Sequence, residues 1–357
     1  MIKNKIKRII VSLIAFFFVI SCSFGQIKQI GEFTAAGLDD AQKLMKAYIT
    51  PWANALGTSM SGGWYNTAKV HKPLGFDVTF SFNMGFVPTS AKTFNLDDLN
   101  LTSDLYYDEN IAPTAAGKKV TGPELRYEQL GITLASFNTP KGAGLSFVPS
   151  PMVQIGIGLI KGTELDVRFF PQVKMGNTGN VKLWGLGLKH DVLQWIPGLS
   201  KLPVLNVSIQ GGLTKFTLGN DISFLPENIS VATSLADDYF DGQRMSLKVK
   251  SFTMNLLVSA NLPVICFYGG LGIANTKTTL GLDGVYPIPT LVGTIPTVTA
   301  ESASEIPSIV IKNNEGSPTK PRFNIGLRLK LGVITVHGDY TKANYSNVTA
   351  GIGISFR

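Results

Sequence analysis

Cysteine, histidine and charge are all scarce in this chain. Of 357 residues two are cysteines, three are histidines and 16% are charged. Cys22 sits in the N-terminal leader, so ordinary removal of that leader would leave Cys266 alone and exclude both an intrachain disulfide and a thiolate zinc site. His71, His190 and His337 assemble with no third group into a catalytic, metal or cofactor motif that spacing can define. Beyond the leader no apolar run approaches 18 residues, which excludes a helical membrane span. The formal charge is +8, but Lys3, Lys5, Lys7 and Arg8 supply half of it. The remaining +4 is too thin to mark a nucleic-acid partner.

What is present is glycine, 37 residues of it, and a positive mean hydropathy. Short alternating strands that face lipid reconcile the two. In Ser346–Arg357 the apolar Val348, Ala350, Ile352, Ile354 and Phe356 take every second position. Upstream, Phe323, Ile325, Leu327, Leu329 and Leu331 alternate with polar residues. After the turn at Gly332, Ile334, Val336 and Tyr340 do the same against Thr335, His337 and Asp339. A chain that stops on such a strand, with an aromatic residue near its end, resembles the assembly signal of bacterial outer-membrane barrels, which makes the barrel-assembly machinery an expected partner. A soluble sandwich would bury the same apolar faces in a common core.

Residues 1–26 read as an export signal, with a basic start, the apolar run Ile9–Ile20 and small residues after it. Two processing routes stand: ordinary cleavage near Gln26, favoured because a barrel needs no lipid anchor, or acylation at Cys22. From Leu38 to Leu56 the apolar spacing changes to three and four, predicting a helix with Asp39 or Asp40 as cap, a bend at Pro51 and an end at Gly57. Leu44, Tyr48 and Trp52 share its apolar stripe. That stripe needs a partner, at the periplasmic mouth or as a plug inside the lumen.

The run Gly62-Gly63-Trp64-Tyr65-Asn66-Thr67-Ala68-Lys69, with Leu74-Gly75-Phe76-Asp77, and the run Lys189-His190-Asp191…Gln194-Trp195-Ile196-Pro197-Gly198…Lys201-Leu202-Pro203 resemble a family of outer-membrane β-barrels of the Bacteroidota. The resemblance spans most of the mature chain. It implies a fold and an outer-membrane location, and brings no activity or functional residues.

The expected architecture is therefore an all-β antiparallel transmembrane barrel of about twelve strands, within ten to fourteen. Residues 27–73 form its plug or cap and residues 74–357 its barrel. Strands are expected at 76–86, 126–138, 151–160, 163–171, 180–189, 204–216, 247–260 and 264–275, followed by the three C-terminal ones. Long segments near 217–246 and 276–321 fall on the outer side, but 88–125 falls on the wrong side, so a strand has been missed or invented there. Glycine pairs on the inward parity (Gly156 and Gly158, Gly185 and Gly187, Gly270 and Gly272, Gly351 and Gly353) indicate strong curvature or a bulky lumen filling. Trp184, Phe267, Phe323, Tyr340 and Phe356 are placed for aromatic girdles.

On the inward side Arg322, Arg328 and Lys330, beside Lys248 and Lys250, are read as an anion-favouring lumen, with internal salt bridges as the competing reading. His337 and Asp339 share one strand face about 7 Å apart, which suits a polar cluster better than a hydrolase. The functional expectation is a passive or gated channel for small, apolar solutes, similar in general plan to the long-chain fatty-acid transporters. The alternative is a non-transporting structural or adhesion barrel using its outer loops. No cofactor and no enzymatic activity are expected; the partners are outer-membrane lipid, the assembly machinery and a solute.

Overall fold

The computed structural model describes residues 26–356 apart from 175–179, 197–203, 223, 225–229, 232–234, 237, 300, 314–318 and 320. The export signal, the Cys22 alternative and the Pro197-Gly198 turn thus lie outside the described residues.

Alternation builds ten antiparallel barrel strands: β1 (Phe76–Phe86), β2 (Phe147–Gly158), β3 (Thr163–Lys174), β4 (Asn180–Asp191), β5 (Leu205–Asp221), β6 (Arg244–Asn261), β7 (Ile265–Tyr286), β8 (Pro321–Leu331), β9 (Ile334–Lys342) and β10 (Ser346–Phe356). Each pairs with its sequence neighbour, and β1 pairs with β10 from Phe76↔Phe356 to Phe86↔Ser346, which closes the ring. The count is ten, at the lower bound expected. The surplus strand was 126–138: those residues form a small hairpin, Glu124–Gln129 with Ile132–Asn138, that pairs with Leu105–Tyr107 and not with the barrel. With it removed, the chain leaves β1, β5 and β7 at one and the same end of the barrel, after Phe86, Asp221 and Tyr286, and the parity is repaired. Short turns such as Lys161-Gly162 and Gly332 occupy the opposite end.

Along β6 the polarity pattern inverts without a change of register. From Phe252 to Val258 the outward residues are apolar and exposed, and Ser251, Thr253 and Asn255 point inward. Beyond Ser251 the outward residues are Lys250, Lys248 and Arg244, while Val249, Leu247 and Met245 are buried inside. Outward apolar positions from Phe252 to Ala260 span roughly 20 Å at the rise and tilt of a barrel strand. Above that height the wall faces water outside and an apolar core inside. β4, β5 and β7 invert at the same level, at Lys182, Lys215 and Lys277. Lys248 and Lys250 therefore point outward, not into the lumen as expected.

The core inside this upper half is the helix α1 (Leu38–Ser61), 24 residues long. Leu44, Met45, Tyr48, Ile49 and Met60 are fully buried there against Leu247, Val249 and Leu280. The helix runs through Pro51 and past Gly57, so neither ends it. Gly37 precedes it at φ 81 with no side-chain cap. Asp40 instead accepts from the Thr102 amide at 3.1 Å and the Thr102 hydroxyl at 2.6 Å, tying the 87–146 segment to the helix. That segment covers α1 as a cap, with Ala115 N–H donating to Tyr48 O at 2.9 Å and Tyr48 OH to Lys141 O at 2.8 Å.

Candidate functional site

From the C-terminus of α1 the chain does not turn back. Residues 62–75 run down the lumen as an extended thread and reach the short-turn end, where Leu74 N–H meets Gly158 O at 3.0 Å and β1 begins. The helix is thus a plug in the long-loop mouth, and the thread occupies the membrane-depth lumen.

Two arginines hold the junction. Arg168 of β3, fully buried, donates to Met60 O at 3.2 Å, Gly62 O at 2.8 Å and Gln154 Oε1 at 2.9 Å, and its guanidinium lies 3.5 Å from the centre of the Trp64 ring. Arg322 of β8 donates to Ser61 O at 2.9 Å. The last carbonyls of a helix lack intrahelical partners and carry the negative end of its dipole, so cations from opposite walls stabilise this terminus. Arg322 is thereby committed to the helix and does not line an open anion path.

Below the junction the glycines make room. A Cβ on Gly187 would lie 2.6 Å from the Trp64 ring, one on Gly212 2.5 Å from it, and one on Gly270 2.5 Å from Tyr65 Oη. Of the two readings of these inward glycines, lumen filling is the one these contacts support. The thread is then held by polar contacts. Ala68 N–H donates to Ser259 Oγ at 3.0 Å, Thr67 Oγ1 to Asn261 at 3.0 Å and Gln154 Nε2 to Trp64 O at 3.2 Å. At the short-turn end both the backbone N–H of His71 (2.8 Å) and its Nδ1 (2.7 Å) meet Glu164 Oε2, while Lys189 Nζ meets Oε1 at 2.6 Å. His71, Asp77 and Glu164 bring ligand-type atoms within 4.8 Å of one another. A metal ion there would have to displace the Lys189 ammonium from Glu164, and the carboxylate is already satisfied by three donors.

The other residues singled out from sequence separate. Asp339 accepts from Tyr268 OH at 3.0 Å and from Asn324 Nδ2 at 2.8 Å, not from His337. His337 and Arg328 are buried side by side in register, and neither forms an ion pair among the described residues. Lys330 shares their parity but is exposed at the short-turn rim. Leu44, Tyr48 and Trp52 belong to the dry core, where burial and the neighbouring Glu32 carboxylate push the Tyr48 phenol up. His190 lies at the short-turn end and accepts from Trp195 Nε1 at 2.9 Å. Spacing had not picked out Trp64, Tyr65, Glu164, Arg168 and Lys189 as a site. The legible signal was Glu164, Asp166 and Arg168 alternating within one strand, which no lipid-facing or dry-core face tolerates.

Such an arrangement defines a class: a ten-stranded outer-membrane β-barrel plugged by its own N-terminal helix and thread. The chain belongs to the family of unknown function DUF6588, whose model matches residues 3–356. No curated protein matches it. Among solved structures it is similar to the attachment invasion locus protein Ail of Yersinia pestis (7% identity, 80% of this chain and 98% of that chain, TM-score 0.27). It is also similar to the outer membrane protease OmpT of Escherichia coli (10% identity, 81% and 100%, TM-score 0.31) and the P. putida toluene transporter TodX (9% identity, 82% and 94%, TM-score 0.24). The likeness extends to the barrel plan and no further.

Proposed function

We propose that the protein is a gated outer-membrane channel for small polar solutes, with its long loops outside the cell and its short turns in the periplasm. Residues 62–75 are the gate of the lower lumen, and solute reaches it through the small pocket beside the C-terminal end of α1 that Thr58, Thr276, Asn313 and Thr341 line, while α1 with its cap stays in place. The observation that carries this reading is the contrast between the two halves of the lumen. The upper half is a dry apolar core. In the lower half Ser208, Gln210, Thr214, Asn255, Thr335 and His337 each present a buried polar atom with no protein hydrogen bond among the described residues. Buried polar atoms find partners, so here the partner is solvent, and the thread crosses a wet wall that it touches through hydrogen bonds. This lining favours polar over apolar solutes. A hydrolase has less support, because the Asp339 carboxylate is engaged by Tyr268 and Asn324.

The test locks the thread to the wall. In a Cys266→Ala background, the pair Ala68→Cys and Ser259→Cys is placed to form a disulfide between thread and β6. Oxidised protein in liposomes should pass small sugars at least about tenfold more slowly than the same protein after reduction. If both forms, and the wild type, admit no solute and pass no current in planar bilayers, the barrel is sealed, and presentation of the outer loops to a partner replaces transport.

A further inference from the structure

The level at which the barrel wall inverts its polarity carries a second feature on the outside. Lys215, Lys250, Lys277 and Lys312 stand directly opposite one another on four adjacent strands, β5, β6, β7 and the strand Ser304–Lys312 that continues the sheet above the membrane. Paired residues share a face, so all four project outward. Lys250, Lys277 and Lys312 are exposed, and Lys215 is half-buried. Directly opposed like charges destabilise a sheet, and cross-strand neighbours lie only about 5 Å apart. Among the described residues none of the four has a carboxylate within ion-pair distance. The nearest acid further up β7, Asp283, is six positions from Lys277, about 20 Å at strand rise. Lys248, one outward step above Lys250, adds to the same field.

On β4 Trp184 stands opposite Lys215 at the end of the row, and immediately below the row come Leu213 and Phe252; all three are exposed and point to lipid. Lysines and these side chains together line an open groove of about 610 Å³.

We infer that this groove binds a lipid of the leaflet at the long-loop end whose headgroup carries phosphates, the acyl chains lying against Trp184, Leu213 and Phe252 and the phosphates along the lysine row. A free anion would satisfy the charge but has no use for the apolar floor. A zwitterionic lipid would cover the floor and leave four ammonium groups unneutralised. Phosphates spread along the row are what remove the repulsion, and basic clusters at a membrane surface gain from each such contact. The site lies outside the lumen and does not depend on whether the barrel conducts.

The experiment uses the full mature chain in mild detergent, titrated with diphosphorylated lipid A, with the same lipid after dephosphorylation and with inorganic pyrophosphate, bound lipid being counted by native mass spectrometry. Wild type should retain one diphosphorylated lipid at least about tenfold more tightly than the variant K215Q/K250Q/K277Q/K312Q, and added salt should weaken it. The corresponding four Lys→Arg changes should retain it. Because these side chains stand on the outer surface, unboiled variant and wild type should migrate alike on a gel, which separates loss of binding from loss of fold. Equal retention by the glutamine variant, or equal retention of the dephosphorylated lipid, overturns the proposal. Displacement by pyrophosphate at the concentration at which the lipid binds would overturn the lipid as the occupant.

Discussion

Arg168 is the residue on which the joint between helix and thread depends most. Its guanidinium serves two backbone carbonyls and a glutamine, and stacks on Trp64, all out of reach of water. Arg168→Met keeps much of the volume but leaves those acceptors unpaired, at a cost of about 2–4 kcal/mol. The urea midpoint of the folded barrel, followed by its gel migration, should fall accordingly. Arg168→Lys should recover only part of the loss, since an ammonium cannot bridge two carbonyls in a plane and stack at once. If the lysine variant matches wild type, the residue acts as a point charge and the planar bridge is irrelevant.

At the scale of the element, each strand carries two environments in series, and substitutions sort by height as well as by face. Ile352 of β10 is outward and exposed within the apolar band. Ile352→Arg should cost roughly 2–4 kcal/mol, whereas Ile352→Leu should stay below about 1.5 kcal/mol. Yields of heat-modifiable barrel after refolding into lipid measure the difference; equal yields would place this face away from lipid. The inward neighbour Gly351 tolerates no side chain either, because a Cβ there would lie 2.2 Å from His337 Cε1. Alternation made the C-terminal strands readable almost to the residue, since one face of each meets lipid. It failed at 126–138, where a hairpin of the cap also buries apolar residues, Leu125, Leu134 and Ala135, although without strict alternation. It failed again at Lys248 and Lys250, because a single parity was extended through the level at which inside and outside exchange polarity. The helix was legible by its spacing. Its partners were not, because apolar positions such as Leu247 and Leu280 look lipid-facing until the strand is known to outrun the membrane.

For the whole molecule the consequence is that α1 is structural. Burying Leu44, Met45, Tyr48, Ile49, Trp52, Leu56 and Met60 contributes about 1.5–3 kcal/mol for each side chain, more than a passing solute can return. A chain lacking residues 27–57 tests this. In the structure the same deletion uncovers the inner apolar faces of β4 to β7 above the membrane. Wild type, unboiled, should migrate differently from the boiled sample, and the deleted chain should show no such folded band. A folded, conducting barrel from the deleted chain would show that the core around α1 is dispensable.

The thread also constrains the order of events. α1 occupies one mouth of the ring, Phe76 starts at the other, and β1 closes that ring against β10. The lumen below α1 is filled by the thread and by buried side chains of the wall, so a folded helix does not pass along it. If α1 folds before the ring closes, the β1–β10 seam is the joint left to shut; otherwise the segment enters unwound. Release of the helix from a mature barrel then requires unzipping that seam or unwinding the helix itself, which makes the protein a latch assembled around its own bolt.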